Sequence, residues 1–210
     1  MKKTIIKTAL FTVLALICCL FLSVFSIFAF APKLSAKITY DLGMKKMSTS
    51  CYERVYKKTG DLEDLIMVID SAVYAEDKET IAQYGVMLFD TYGNTSEFKN
   101  YCDVCDVDVQ EGGYTTYDYY ANTVFMALYS QGQKEKAVEF AIVNLKKYTD
   151  RSALKRAVVL ANPTNDKELG LLLVKGYKRL RPTIDISLFN DFREELIAYK
   201  DADGNSVYKF

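Results

Sequence analysis

The chain has 210 residues with 27 basic and 27 acidic side chains. Half of it is apolar, and only ten glycines and three prolines interrupt it, which excludes a disordered or collagen-like chain. It contains no histidine, so the commonest general base, the commonest metal ligand and every triad built on imidazole are excluded.

Ala9 to Ala31 holds no charged residue, and its only polar side chains are Thr12, Ser23 and Ser26. As a helix this run is about 34 Å long, enough to cross a hydrocarbon core of ~30 Å while satisfying its own backbone hydrogen bonds. The alternative is a cleaved secretory signal, with Lys2, Lys3 and Lys7 before the run and Ala29-Phe30-Ala31 in the small-x-small form of a cleavage site. The run exceeds the about 7–15 apolar residues of a signal, and Pro32 just past the cut hinders extended binding in a protease. The expectation is therefore a retained signal anchor at 9–31 behind a short cytoplasmic leader, 1–8. Cys18 and Cys19 lie mid-run after the large Ile17 and read as packing residues rather than lipidated ones. A short leader and a long C-terminal part place the chain in the cell membrane as a single-pass protein, its C-terminal domain extracytoplasmic; the alternative is secretion after cleavage.

The next segment, 32–59, reads as a juxtamembrane helix from about Ser35 to Lys58, with Gly43 and Ser48-Thr49-Ser50 as weak points. Its lysines either lie against anionic headgroups, each contributing about 1 kcal/mol close to the surface, or face water as part of a first domain helix. A helical domain follows over 60–200. Leu62, Leu65, Ile66, Ile69 and Val73 form an amphipathic stripe after an N-cap at Asp61. A second helix covers about Lys78 to Tyr92, with Ile81, Tyr84, Gly85, Leu88 and Phe89 inward. A third, capped by Thr95 or Ser96, covers about Glu97 to Val109. A fourth spans about Thr116 to Ser130. A fifth, about Lys134 to Tyr148, turns Ala137, Phe140, Ala141, Leu145 and Tyr148 to one side. Ser152 opens a sixth, Asn165 with Glu168 resembles a capping box for a seventh at about Asp166 to Leu180, and Asp185 caps an eighth. Residues 201–210 read as a tail or a short hairpin. Asp201 and Asp203 lack the remaining ligands of a calcium loop.

Charge is unevenly spread: the net is +5 over 32–60, −12 over 61–118, zero over 119–142, +7 over 143–181 and −3 over 182–210. Such asymmetry favours association with charged partners, or simply keeps the surface soluble.

Gly60, Gly93 and Gly132 each lie between successive helices. Four residues before them stand Tyr56, Phe89 and Leu128, and five residues after them Leu65, Phe98 and Ala137. With Leu128-Tyr129-Ser130-Gln131-Gly132 followed by Ala137-Val138-Glu139-Phe140-Ala141, this pattern resembles the tetratricopeptide repeat (TPR) family over about residues 48 to 149. The family's early Trp-x-x-Leu-Gly element and its terminal proline are absent. The resemblance implies an all-α fold: an N-terminal transmembrane helix followed by antiparallel helical hairpins stacked as a short TPR-like α-solenoid that binds peptide segments or partner subunits.

Cys102-Asp103-Val104-Cys105 is a C-x-x-C inside a helical, acidic segment, which raises thiol pKa values; it reads as packed cysteines or a candidate disulfide rather than a redox centre. Too few soft ligands remain for zinc, so no metal and no cofactor is implied. Ser152-Ala153-Leu154-Lys155 and Lys58-Thr59-Gly60 match elements of penicillin-recognising enzymes, but in reversed order and without the third element.

Candidate partner-binding residues are Tyr114, Tyr117 and Tyr120, with Lys147, Arg151, Lys155, Lys178 and Arg179. The expected function is a non-catalytic module held at the membrane that binds protein partners or itself. The alternative is an envelope polymer or anionic lipid held by the basic and tyrosine-rich surface, and a thiol redox enzyme ranks below both. Nucleic acid is not expected as a partner, because no base-reading motif accompanies the charge.

Overall fold

The computed structural model describes residues 2–108, 114–144, 164 and 166–180. Among them every regular element is an α-helix. The chain divides between Asp77 and Lys78 into two compact units.

The first unit contains α1 (Lys2–Phe30), α2 (Pro32–Asp41), α3 (Lys45–Thr59) and α4 (Leu62–Tyr74). Within α1, Leu10–Phe30 is long and apolar enough to cross a membrane, with a mean hydropathy of 2.8 and none of it buried; a signal sequence meets the same description. The helix ends at Ala31, whose φ of −125° and ψ of 67° leave the helical region. Pro32 then takes the first position of α2, where its missing N–H costs nothing, and the Ala31 carbonyl accepts a hydrogen bond from Ser35 N at 3.0 Å.

The single helix expected across 32–59 is two helices. Gly43 has φ +69° and closes α2 in a Schellman arrangement: Met44 N donates to Thr39 O and Gly43 N to Tyr40 O, at 2.8 and 2.9 Å. The serines and threonine read as weak points do not break α3; Ser48 and Thr49 are buried within it.

α3 packs on both α2 and α4. From α4 the core takes Leu62, Leu65, Ile66, Val68, Ile69 and Ala72, and from α3 Cys51, Tyr52 and Val55. Val73 is only half-buried. Asp61 stands at the expected N-cap position but its side chain makes no capping bond. Thr59 organises the turn instead: its hydroxyl donates to Asp64 Oδ2 at 2.7 Å and accepts from Asp61 N at 3.3 Å.

α4 closes as α2 does, with Asp77 N donating to Ala72 O and Glu76 N to Val73 O, but the left-handed position is filled by Glu76 at φ +57°. A side chain there clashes with its own backbone, which glycine avoids. Glu76→Gly is expected to stabilise the chain by about 1 kcal/mol, whereas Gly132→Ala, at φ +75°, is expected to cost about as much. Urea unfolding followed by circular dichroism reads both shifts in midpoint.

The second unit contains α5 (Lys78–Tyr92), α6 (Ser96–Cys105), α7 (Thr116–Ser130), α8 (Lys134–Asn144) and α9 (Lys167–Leu180). α5 packs on α7, α7 on α8, and α8 on α9, while α6 touches α7. The expected inward residues of α5 (Ile81, Tyr84, Gly85, Leu88 and Phe89) are all buried, as are Ala137, Phe140 and Ala141 of α8. Gly85 lets α5 approach α7 closely: a Cβ there would fall 2.1 Å from Val124 Cγ2.

The ends of these helices follow side-chain chemistry. Thr95 caps α6 by accepting from Phe98 N, and Thr115 with Asp118 forms a reciprocal capping box on α7. Gly132 ends α7 in a Schellman turn, with Gln133 N donating to Leu128 O. Gly93 differs from the other two repeat glycines, because its φ is not positive and an added Cβ would meet the Phe89 carbonyl oxygen at 2.4 Å. α9 is capped by Asp166, its Oδ1 accepting from Glu168 N and Leu169 N at 3.0 and 3.3 Å, and Asn165, expected as the cap, lies outside the described residues. The helices expected from Ser152 and Asp185, the continuation to Leu145 and Tyr148, and the 201–210 tail lie outside the described residues.

Candidate functional site

Phe89 organises the second unit's core, with rings of Phe98, Tyr117 and Phe140 set edge-on to it at centroid distances of 5.9, 5.1 and 5.0 Å. Edge-to-face rings align the positive edge of one with the negative face of another, fixing side-chain orientation beyond simple burial. Phe98 is 1% exposed and also meets Tyr120 and Tyr101, so this one side chain holds α6 in place.

Beside that anchor lies a half-open groove of about 350 Å³. The turn from Gly93 to Thr95, α6 and the start of α7 form its walls. Phe98, Cys102 and Tyr117 supply an apolar floor, and Lys99, Asp103 and Asp106 supply charge at its edge. Asp106 is itself fastened, its Oδ1 accepting from both the backbone N and the hydroxyl of Thr116 at 2.8 and 2.6 Å. The edge is thus pre-set by the same bonds that start α7. A concave, mostly apolar site with a few fixed polar groups suits one or two side chains of a ligand.

The expected partner-binding residues are distributed unevenly. Tyr117 is 7% and Tyr120 3% exposed, so both are core residues, and Tyr117 donates its hydroxyl to the Asn144 carbonyl at 3.1 Å. Tyr114 remains outward, half exposed, its hydroxyl donating to Asp118 O at 3.2 Å, and burial of its ring raises its pKa. Arg179 is exposed on α9 and Lys178 precedes it on the same helix. Lys147, Arg151 and Lys155 lie outside the described residues. Cys102 is buried and Cys105 exposed, and neither is in a disulfide. Among the described residues no cluster of His, Cys, Asp and Glu is arranged to hold a metal.

A polar network missed by the sequence reading joins α7, α8 and α9. Lys134 Nζ lies 2.8 Å from Asp166 Oδ2 and 3.1 Å from Glu168 Oε2, and Tyr129 donates its hydroxyl to the same Asp166 oxygen at 3.0 Å. The Lys134 ammonium, opposed by partial burial and helped by Tyr129 and the Leu169 N–H, holds the Asp166 carboxyl below its usual range. Burial first, then the Asp166 carboxylate, raises the Tyr129 phenol, and Lys134 is held above the ordinary lysine range. A depressed carboxyl stabilises the folded state above its unfolded pKa and loses that contribution as pH falls through the folded value. The wild-type melting temperature is therefore expected to drop between about pH 5 and pH 3 more steeply than that of Asp166→Asn. Equal slopes would show that the carboxylate contributes nothing to this end of the unit.

The chain matches no family model, and no curated protein and no solved structure matches it.

Proposed function

We propose that this chain is a non-catalytic, membrane-anchored interaction module whose second unit holds a segment of a protein partner in the α6 groove. The half-open groove is the observation that carries this reading: it offers a preformed apolar floor to an inserted side chain, with Asp103 and Asp106 at its edge favouring a basic neighbour in the same segment. The bound segment is thus an apolar side chain flanked by lysine or arginine. Within the second unit the 78–118 stretch, two lysines against eight acids, steers such a ligand from a distance.

On this reading α1 is retained as a signal anchor with its N-terminus in the cytoplasm, so that the helical units lie outside it. Short helices joined by glycine-bearing turns, with α5 against α7 and α7 against α8, suit a TPR-like stack. A chain without histidine lacks the commonest general base, which suits binding rather than catalysis.

The test is a photoreactive side chain introduced at Asp103 in the full-length chain in its native membrane, beside a control at the exposed Glu79. A discrete cross-linked protein from position 103, lost on Asp106→Lys and absent from position 79, is the expected result. Cross-links from position 103 only to lipid or polysaccharide, or the same products from both positions, would overturn it.

A further inference from the structure

Where α2 meets the start of α3, the buried side chains are small or hydroxylic, while Cys51, Tyr52 and Val55 further along α3 join the apolar core with α4. The buried residues of α2 are Ser35, Ala36 and Thr39, and those of α3 include Ser48 and Thr49. Their hydroxyls donate to nearby carbonyls: Ser35 to Pro32 O, Thr39 to Ser35 O and Ala36 O, and Thr49 to Lys45 O, with Ser48 Oγ reaching across to Ala36 O at 3.5 Å. Large apolar side chains at the elbow itself are outside. Leu42 is 67%, Met44 48% and Met47 49% exposed at the elbow joining the two helices, and Leu34 is exposed on α2.

Charge and aromatic rings accompany these residues. Lys37, Lys45 and Lys46 are exposed along the elbow's own stretch, residues 37–47, where Asp41 is the one acid in sequence. Tyr40 and Tyr74 pack ring to ring at 5.4 Å, both remain more than a third exposed, and Lys45 Nζ sits 4.4 Å above the Tyr74 ring. Leucine and methionine outward, lysines beside them and tyrosines between is the composition that a membrane interface selects, since each group meets its own layer of the bilayer. Only the ten residues of α2 separate the elbow from the end of α1's apolar stretch.

We propose that the α2–α3 elbow docks on the surface of an anionic bilayer, with Leu42, Met44 and Met47 entering the headgroup–acyl boundary and Lys37 and Lys46 meeting lipid phosphates. Lys45, held over Tyr74, lies at the edge of this contact. The contact lies in the first unit and is independent of the groove. It takes the retained α1 as the element that keeps the elbow near lipid.

The chain has no tryptophan, so one introduced tryptophan is a unique reporter. Full-length Met47→Trp is reconstituted into vesicles of phosphatidylglycerol and phosphatidylcholine, with some acyl chains brominated near the carbonyl. Leu20→Trp, read with lipid brominated near the acyl-chain ends because it lies at mid-span, reports on α1 separately, and Met44→Trp replaces Met47→Trp if that variant misfolds. The expected result is blue-shifted Met47→Trp emission that is quenched by brominated lipid and protected from iodide. This quenching should weaken in pure phosphatidylcholine and on combining Lys37→Glu with Lys46→Glu. Iodide access without lipid quenching overturns the docking. Protection from both quenchers also overturns it, because a protein surface then covers the elbow. Leu20→Trp quenched while Met47→Trp is not leaves α1 in the bilayer and removes the elbow alone; neither quenched removes both.

Discussion

Replacing Phe98 by alanine is expected to lower the unfolding free energy of the second unit by about 3–5 kcal/mol. The ring is 1% exposed and touches Phe89, Tyr117, Tyr120 and Tyr101, so truncation removes its transfer energy and leaves a cavity bounded by rings that cannot collapse without breaking their own edge-on contacts. The effect concentrates on α6, because Cys102 is the other buried side chain on that helix. Amide exchange over 96–105 should accelerate more than exchange over α7, and cross-linking from the groove should fall with it. Phe98→Leu, which keeps much of the volume, should cost less. A loss below about 1 kcal/mol for alanine would mean that α6 is not held by this ring.

The second large effect is expected at Gly85. On an exposed helix face alanine would gain about 1 kcal/mol over glycine, but here its Cβ would lie 2.1 Å from Val124 Cγ2 and 3.3 Å from Val124 Cβ. Val124 is fully buried, and a β-branched side chain in a helix has one strongly preferred rotamer, so it cannot swing aside. α5 and α7 must separate, at a cost of about 1–3 kcal/mol, and Gly85→Val should reach the upper part of that range. The decisive measurement is a double-mutant cycle. Val124→Ala costs stability alone through lost burial, yet in the Gly85→Ala background it removes the clash, so the double variant should be more stable than the sum of the single effects by about 0.5–3 kcal/mol. Simple additivity would place the close approach elsewhere.

Much of the helix pattern was legible because it rests on signals the sequence carries locally. The α7 limits, Thr116 to Ser130, follow from a threonine cap at one end and Gly132 just beyond the other, and the inward residues of α5 follow from their spacing alone. What escaped depended on choices between equivalent neighbours or on tertiary contacts. Asn165 and Asp166 are both good caps, and the carboxylate took the position where Lys134 and Tyr129 also reach it. Glu76 adopts a left-handed turn with no glycine to announce it. The break at Gly43 was visible as a weak point, but its strength came from two capping bonds. The groove had no sequence signature, since it forms only when the start of α7 folds back against the 93–106 stretch. The tyrosine run fitted both rings wedged between helices and an exposed binding surface, because its density does not reveal which rings, here Tyr117 and Tyr120, the Phe89 and Phe98 cluster will absorb.

The hydroxyl-lined seam between α2 and α3 has a thermal corollary. Apolar burial gives unfolding its large positive heat capacity and weakens on cooling, whereas exposure of polar surface contributes with the opposite sign. A joint made of Ser35, Ala36, Thr39, Ser48 and Thr49 therefore contributes little curvature to the stability of the first unit. The ring cluster around Phe89 and the α3–α4 core have a steeper dependence than this seam, so chilling should loosen both apolar cores before it disturbs the seam itself.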